Sequence, residues 1–247
     1  MRTFIITLVL TLASWSAPAF AAPPEVSIHK VQDGVWRHIS FHTFDNGARL
    51  SSNGLIVEDA GRLYLIDSAW GDDSTETLLD LIDAEIGLPV VAAVATHSHA
   101  DRAAGAALMA TRGIAFYALE ETRRLAPRWG LVAPAQALPL EASAGASTRL
   151  GPLEIFYPGT GHTKDNLMVW LPKHKLLFGG CAVREAASHD LGYHKEGDPA
   201  AWRNAMALTR ARYAAAETVI PGHGASGGPE LLAHTSALLD AHLAKVR

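Results

Sequence analysis

Residues 94 to 105, VATHSHADRAAG, place His97, His99 and Asp101 at alternate positions directly after a short apolar run. All three side chains are metal ligands by chemistry. The string sits where a buried strand gives way to a helix, the position at which α/β sheets carry their ligand sites. Asp101 also suits the N-cap of the helix that follows, and cap and ligand roles are compatible. The chain has 12 histidines, so the cluster needs further donors in comparable settings before it counts as a metal centre.

Three other segments have the same form, a strand running into a glycine-rich turn that carries a donor. They are YPGTGHTKDN (157–166) with His162, LLFGGCAVRE (176–185) with Cys181, and VIPGHGASGG (219–228) with His223. Glycine lets a backbone turn sharply and approach a site closely. Four such loops on one edge would gather six donors: His97, His99, Asp101, His162, Cys181 and His223. One tetrahedral zinc does not need six. They divide into an imidazole set of His97, His99 and His162, and a mixed set of Asp101, Cys181 and His223, each leaving room for water. Thiolate and imidazole point to zinc rather than magnesium or calcium.

Further outward, strand and helix signals alternate. Residues 54–59 and 62–67 read as strands. Residues 72–87 read as a helix with Leu78, Leu79, Ile82 and Ile86 at helical spacing and Gly87 as a stop. Strands are expected at 89–98 and 114–119, a helix at 101–113 and a short one at 121–128. The second half repeats the style. Strands are expected at 151–159, on both sides of Pro172-Lys173 and at 217–224. Helices are expected at 198–214, with Asp198 as N-cap and Pro199 at N1, and at 228–246. The remaining histidines read as bland. His29, His38 and His174 fall near strand ends or turns, His234 and His242 on the last helix, and His189 and His194 in the loop after Cys181 without a ligand role. Alternating elements of this kind predict an α/β layered domain, sheets inside and helices outside.

At the N-terminus, Arg2 precedes an apolar run from Phe4 to Ala13 and the small-residue pattern Ala19-Phe20-Ala21. That is the pattern of a secretory signal peptide over residues 1–21, with a single domain over 22–247. The run is shorter than the roughly 20 residues a membrane span needs, so no stable membrane insertion is expected after cleavage. The expected compartment is the periplasm. Cys181 is the one cysteine of 247 residues, so no disulfide can form within the chain. An exported lone thiol is a hazard unless a metal holds it as thiolate. The net charge of −4 with no long basic run argues against a nucleic-acid partner.

The stretches SNGLIV, LIDSAWG, GLPV, THSHADR, FYPGTGHTKDNL, GGCAV, IPGHG and LLAHT occur in this order along nearly the whole mature chain. The series resembles the class B metallo-β-lactamases of the subclass with an Asp/Cys/His second zinc site, and is most similar to its Verona-type members. The resemblance implies an αββα sandwich, two β-sheets packed together with helices on the outer faces. It implies two zinc ions in a groove along one edge, and hydrolysis of the β-lactam amide of penicillins, cephalosporins and carbapenems by a metal-bound hydroxide, giving antibiotic resistance. His97, His99 and His162 match the first zinc's ligands, and Asp101, Cys181 and His223 the second's. Arg184 falls where a basic residue receives the substrate carboxylate. Residues 40–54 match a mobile flap in which Phe41, His42 and Phe44 would press on substrate, with Asp45-Asn46-Gly47 as its turn. Trp70 joins them as a substrate contact. Asp67 matches an aspartate buried beneath the metals, and Arg102 follows the Asp ligand as in many relatives. Tyr193 stands where many relatives carry an asparagine that helps hold the lactam carbonyl, and a phenol can donate there with a different reach. A monomer is expected.

Two rival readings are weaker. Thiolesterases of the glyoxalase II type, and nucleases of the same scaffold, usually carry a histidine where Arg102 stands. They also lack a cysteine like Cys181 in the later loop. A zinc-buffering protein would be expected to saturate its metals rather than leave two open sites beside a flap.

Overall fold

A computed structural model describes residues 25–246; the expected signal peptide lies outside them. Two sheets form the centre. The first holds β1 (Val26–Gln32), β2 (Val35–Thr43), β3 (Arg49–Asp59), β4 (Arg62–Ile66), β5 (Val90–Val94), β6 (Ala115–Ala118) and β7 (Gln136–Ala137), hydrogen-bonded in that order. The second holds β8 (Ser147–Leu150), β9 (Leu153–Phe156), β10 (Met168–Leu171), β11 (Leu176–Gly180) and β12 (Thr218–Pro221), in the order β12-β11-β10-β9-β8. The helices are α1 (Asp72–Glu85), α2 (Ala100–Ala103), α3 (Ala106–Thr111), α4 (Glu120–Leu125), α5 (Pro199–Arg212) and α6 (Glu230–Lys245).

Side-chain alternation builds the layers. Strands place successive residues on opposite faces. In β3, Leu55 and Val57 turn toward the second sheet and meet Ile155, Val169, Leu171 and Phe178. Ile56 turns outward with Leu65 and packs under Leu78 and Ile82 of α1 and Met109 of α3. In the second sheet Met168 and Leu177 face outward, onto Trp202 and Met206 of α5 and Leu232 and Leu239 of α6. Three apolar layers between four structural layers make an αββα sandwich. It is the fold class that the sequence predicts.

Several expected elements shift for identifiable reasons. The helix expected over 101–113 is broken into α2 and α3. The break is at Gly105, where a Cβ would stand 2.6 Å from the Thr75 side chain and 3.0 Å from Ser68, so only glycine fits there. The N-cap position of α2 falls on His99, and Asp101 lies inside the first turn. The carboxylate of Asp101 is spent on the site rather than on a cap. Strands β1, β2, β7 and β8 answer to no expected strand. His38, expected near a strand end, lies in the middle of β2, buried, with Nε2 3.3 Å from the Ile66 carbonyl.

The expected cap of α5 forms. Asp198 Oδ1 accepts from the backbone N–H of Ala200 at 2.9 Å and of Ala201 at 3.1 Å. Asp198→Ala is expected to cost about 1 kcal/mol, read as a lower urea midpoint with an unchanged slope.

Candidate metal centre

Each donor leaves the C-terminal end of a strand or the loop just beyond it. Asp67 follows β4. Thr96 to Asp101 follow β5, His162 follows β9, Cys181 follows β11, and His223 follows β12. Main-chain bonds pin these loops together across the two sheets. Leu167 N donates to Thr96 O at 2.7 Å, Gly222 N to Gly180 O at 2.7 Å, and Asn53 N to Gly222 O at 2.8 Å. The Asn53 amide adds two more bonds, to Pro221 O and Gly224 O, each 2.9 Å. Gly222 is required by space: a Cβ there would sit 2.6 Å from Arg102 Nη2 and 2.8 Å from Cys181 Sγ.

All six predicted donors come together at this edge. Among the described residues, three groups have donor atoms within 4.8 Å of one another: Asp101 with Cys181 and His223, His97 with His99 and Asp101, and His97 with His162 and Cys181. The mixed set therefore assembles as expected. Cys181 Sγ is 3.2 Å from His223 Nε2 and 3.6 Å from Asp101 Oδ2, and His223 Nε2 is 3.4 Å from the same oxygen. The three imidazoles of the other set adjoin but do not form one of these three groups by themselves. His97 Nε2 is 3.0 Å from His99 Nδ1, and the His162 ring centroid lies 5.0 Å from that of His97 and 5.5 Å from that of His99.

The donor set fits a metal on three counts. The first is unmet bonding: His162 Nε2 is buried with no hydrogen-bond partner, a state that costs energy unless something binds there. The second is protonation. Burial, seconded by neighbouring imidazoles, holds His97 well below the ordinary histidine range and His162 at about 3. Burial also holds His223 at about 4. All three are neutral at pH 7 and keep a lone pair. The third is tautomer control. His223 Nδ1 faces the Ser51 carbonyl at 2.6 Å, which fixes the proton on Nδ1 and leaves Nε2 free to face Cys181 and Asp101.

Beneath the donors lies Arg102, fully buried. Its guanidinium reaches Asp67 at 3.1 Å, Asp101 at 2.9 Å, Cys181 Sγ at 3.0 Å and Gly222 O at 2.8 Å, and also donates to Asn53 O. Burial opposes its charge, but Asp101, Cys181 and Asp67 together hold it protonated above the ordinary arginine range. Burial likewise works against ionised Asp101, yet Arg102 and His223 prevail and hold that carboxyl at about 2. Burial pushes Asp67 up to about 7 against Arg102 and Thr96, and pushes the Cys181 thiol up against Arg102. Asp67 also sits at φ 63°, a costly backbone state for a residue other than glycine. Thr96 holds it there through N–H at 2.6 Å and Oγ1 at 2.9 Å.

A pocket of about 270 Å³ opens onto the donors, lined by Leu50, His162, Cys181, Arg184, Tyr193 and His223 among others. Arg184 Nε donates to Asp190 O at 3.2 Å, and its Nη2 pairs with the Asp190 carboxylate at 3.9 Å. Tyr193, about half exposed, donates its phenol to Glu196 Oε1 at 2.8 Å. The flap is the β2–β3 hairpin, and its turn falls at Asp45-Asn46-Gly47 with Gly47 N donating to Phe44 O at 2.8 Å. His42 stacks on Trp70 at 5.0 Å, Phe44 meets both rings edge-on, and Trp70 lies 6.1 Å from His223. Phe41, His42 and Trp70 line a separate hollow of about 380 Å³, and Arg49 covers the Phe41 ring at 4.2 Å. From this hairpin it is Leu50, absent from the expected contacts, that lines the pocket over the donors. Trp129 was also not foreseen; its indole meets His99 edge-on at 4.8 Å.

Fold and donor set together define an αββα metallohydrolase. The chain belongs to the metallo-β-lactamase superfamily, whose family model matches residues 47–223. It is 35% identical over 216 residues to a metallo-β-lactamase type 2 of Bacillus cereus, covering 87% of this chain and 82% of the relative. It is 28% identical over 239 residues to one of Bacteroides fragilis, covering 97% and 95%. Among solved structures it is similar to FIM-1 of Pseudomonas aeruginosa in its mono-zinc form. That match has a TM-score of 0.84 and 36% identity, covering 89% of this chain and 98% of that one. DIM-1 matches with a TM-score of 0.82 and 38% identity, at the same coverage.

Proposed function

We propose that residues 22–247, exported to the periplasm and acting as a monomer, hydrolyse the amide bond of β-lactam antibiotics with two zinc ions and so confer resistance. The convergence of six donors from four loops beneath one pocket carries this reading. His97, His99 and His162 would hold one ion, and Asp101, Cys181 and His223 the other. Family membership and the names of the relatives support the substrate class. The zinc named for FIM-1 supports the choice of metal. No helix among the described residues is long and apolar enough to cross a membrane, and all six donors come from one chain.

Zinc, when bound, supplies Lewis-acid polarisation and lowers the pKa of water toward roughly 7. The chain supplies the rest. Arg184 lines the pocket with Cys181 and His223, its Nη2 held only by a long ion pair to Asp190, placed to bind the substrate carboxylate as a fork. Arg102 keeps Asp101 ionised as a donor. Tyr193 offers a phenol at the pocket rim toward the lactam carbonyl, once released from Glu196. Phe44, His42 and Trp70 give the flap an apolar face, Phe41 backs it under Arg49, and Leu50 brings that face over the donors.

A chromogenic cephalosporin tests the reading. Turnover abolished by a chelator and restored by added zinc is the expected result; zinc-loaded protein inert toward every β-lactam class would end it. Arg184→Ala is expected to raise KM about tenfold, the value of one charge-assisted hydrogen bond, with zinc content unchanged. Equal KM values for wild type and variant on carboxylate-bearing substrates would remove Arg184 from substrate binding.

A further inference from the structure

Two histidines that the sequence leaves without a ligand role, His194 and His242, meet outside the donor cluster. Their ring centroids are 5.1 Å apart, with planes at 88°. The donor imidazoles supply the yardstick. His97, His99 and His162 adjoin pairwise at 4.6, 5.0 and 5.5 Å, with planes at 79°, 78° and 89°. The outer pair falls inside both ranges. Tautomer control is present as well. His194 Nδ1 faces the Gly192 carbonyl at 2.6 Å. A carbonyl only accepts, so the proton of the neutral ring sits on Nδ1 and the Nε2 lone pair is left for a ligand. Ser51 O prepares His223 in the same way, also at 2.6 Å. His242 lies in the last turn of α6, where unpaired backbone carbonyls favour a cation.

We propose that His194 and His242 form an accessory site for a borderline divalent cation such as zinc, and that the ion clips the loop after β11 to α6. Imidazole pairs suit zinc, copper and nickel. Both side chains are half-buried, so water can complete the coordination shell. The pair shares no donor with the six residues of the metal centre. Its consequence comes from what the loop carries: Arg184 and Tyr193 both line the pocket over the donors. Helix α6 already holds the first part of this loop. Thr235 Oγ1 accepts from Arg184 N at 2.9 Å, and His234 Nε2 donates to Ser188 O at 3.0 Å. About two turns further along the helix, His242 meets the far part at His194. A cation across the pair fastens the segment next to Tyr193, so metal bound outside the pocket sets how firmly the pocket rim is held. Local sequence hides the pair, since its members are 48 positions apart.

The test counts metal rather than turnover. Bound zinc is measured against buffered free zinc for wild type, His194→Ala, His242→Ala and the control His174→Ala, which removes a half-buried histidine between β10 and β11. Wild type and His174→Ala are expected to take up one zinc equivalent more than either pair variant. Loss of an outer partner alone weakens a metal site about 10- to 100-fold, so loss of one of two direct donors should weaken this last equivalent by more than about 100-fold. Hydrogen exchange gives a second reading. Filling the site should slow the backbone amides of residues 188–197 in wild type and leave them unchanged in His242→Ala. Identical zinc uptake by wild type and His242→Ala would overturn the site, as would an equal loss in His174→Ala, the mark of unspecific binding to surface imidazoles. An extra equivalent that left those amides unprotected would overturn the clip. The count is a difference between variants, so it stands or falls separately from the proposed β-lactam hydrolysis: a protein inert toward every β-lactam can still show the extra equivalent, and an active one can lack it.

Discussion

Arg102→Met is expected to destabilise the metal-free protein by about 3–5 kcal/mol, the cost of stripping one partner from a buried ion network. Met fills much of the same volume but leaves two carboxylates, Asp67 and Asp101, without their shared cation at full burial. It also takes the guanidinium donor away from Asn53 O and leaves Gly222 O with the Asn53 N–H alone. An unmet buried acceptor adds its own desolvation cost. Arg102→Lys keeps the charge but cannot reach several acceptors in one plane, and should lie between the two. Urea titration of the chelator-treated proteins at pH 7 measures the effect. A Met variant within 1 kcal/mol of wild type would show that the network is not what holds these loops together.

Arg102 also shows where sequence reading stops. THSHADR makes it visible as the residue after the Asp donor, and nothing local says what it touches. Asp67, Cys181 and Gly222 lie 35, 79 and 120 positions away, so only the closed fold brings them to one guanidinium. The six candidate donors were legible for the opposite reason. Each sits just past a strand end, with glycine beside it for His162, Cys181 and His223 and the alternating His-x-His-x-Asp string for the other three, and the chemistry of imidazole and thiolate does not depend on knowing the neighbours. The sandwich was legible from the alternation of elements. Strands β1 and β2 were not, because β1 is an edge strand with mostly half-exposed residues and β2 carries His38, Ser40 and His42 among its apolar positions. The close approach of Gly105 to Thr75 and Ser68 joins residues distant in sequence, and no periodicity within residues 101–113 contains that information. Flap residues were visible as aromatics, but whether Phe41 or Leu50 looks onto the donors is a matter of strand register, set by the pairing of Phe41 with Ser51 and of His42 with Leu50.

Cys181→Ser should remove the mixed donor set while sparing the fold. The Sγ atom is the point on which Asp101, His223 and Arg102 converge, at 3.6, 3.2 and 3.0 Å. A serine hydroxyl can still accept from Arg102, so the buried network keeps its hydrogen bonds and stability should change by less than about 1.5 kcal/mol. As a ligand the hydroxyl is far poorer than a thiolate for a soft-to-borderline ion such as zinc. Loss of an outer partner alone weakens metal sites by roughly 10- to 100-fold, and loss of a direct donor should exceed that. The expected result is one zinc equivalent lost on dialysis, with turnover of a cephalosporin down by more than about 100-fold and partly recovered at high zinc. Cys181→Ala separates the two contributions: it removes the Sγ contact of Arg102 Nη2, which keeps Gly222 O and Asp101, and should cost somewhat more stability for the same loss of metal. If Cys181→Ser kept both equivalents and full turnover, the thiol would be a buried packing group, and Asp101 and His223 would have to hold their ion with some other third donor.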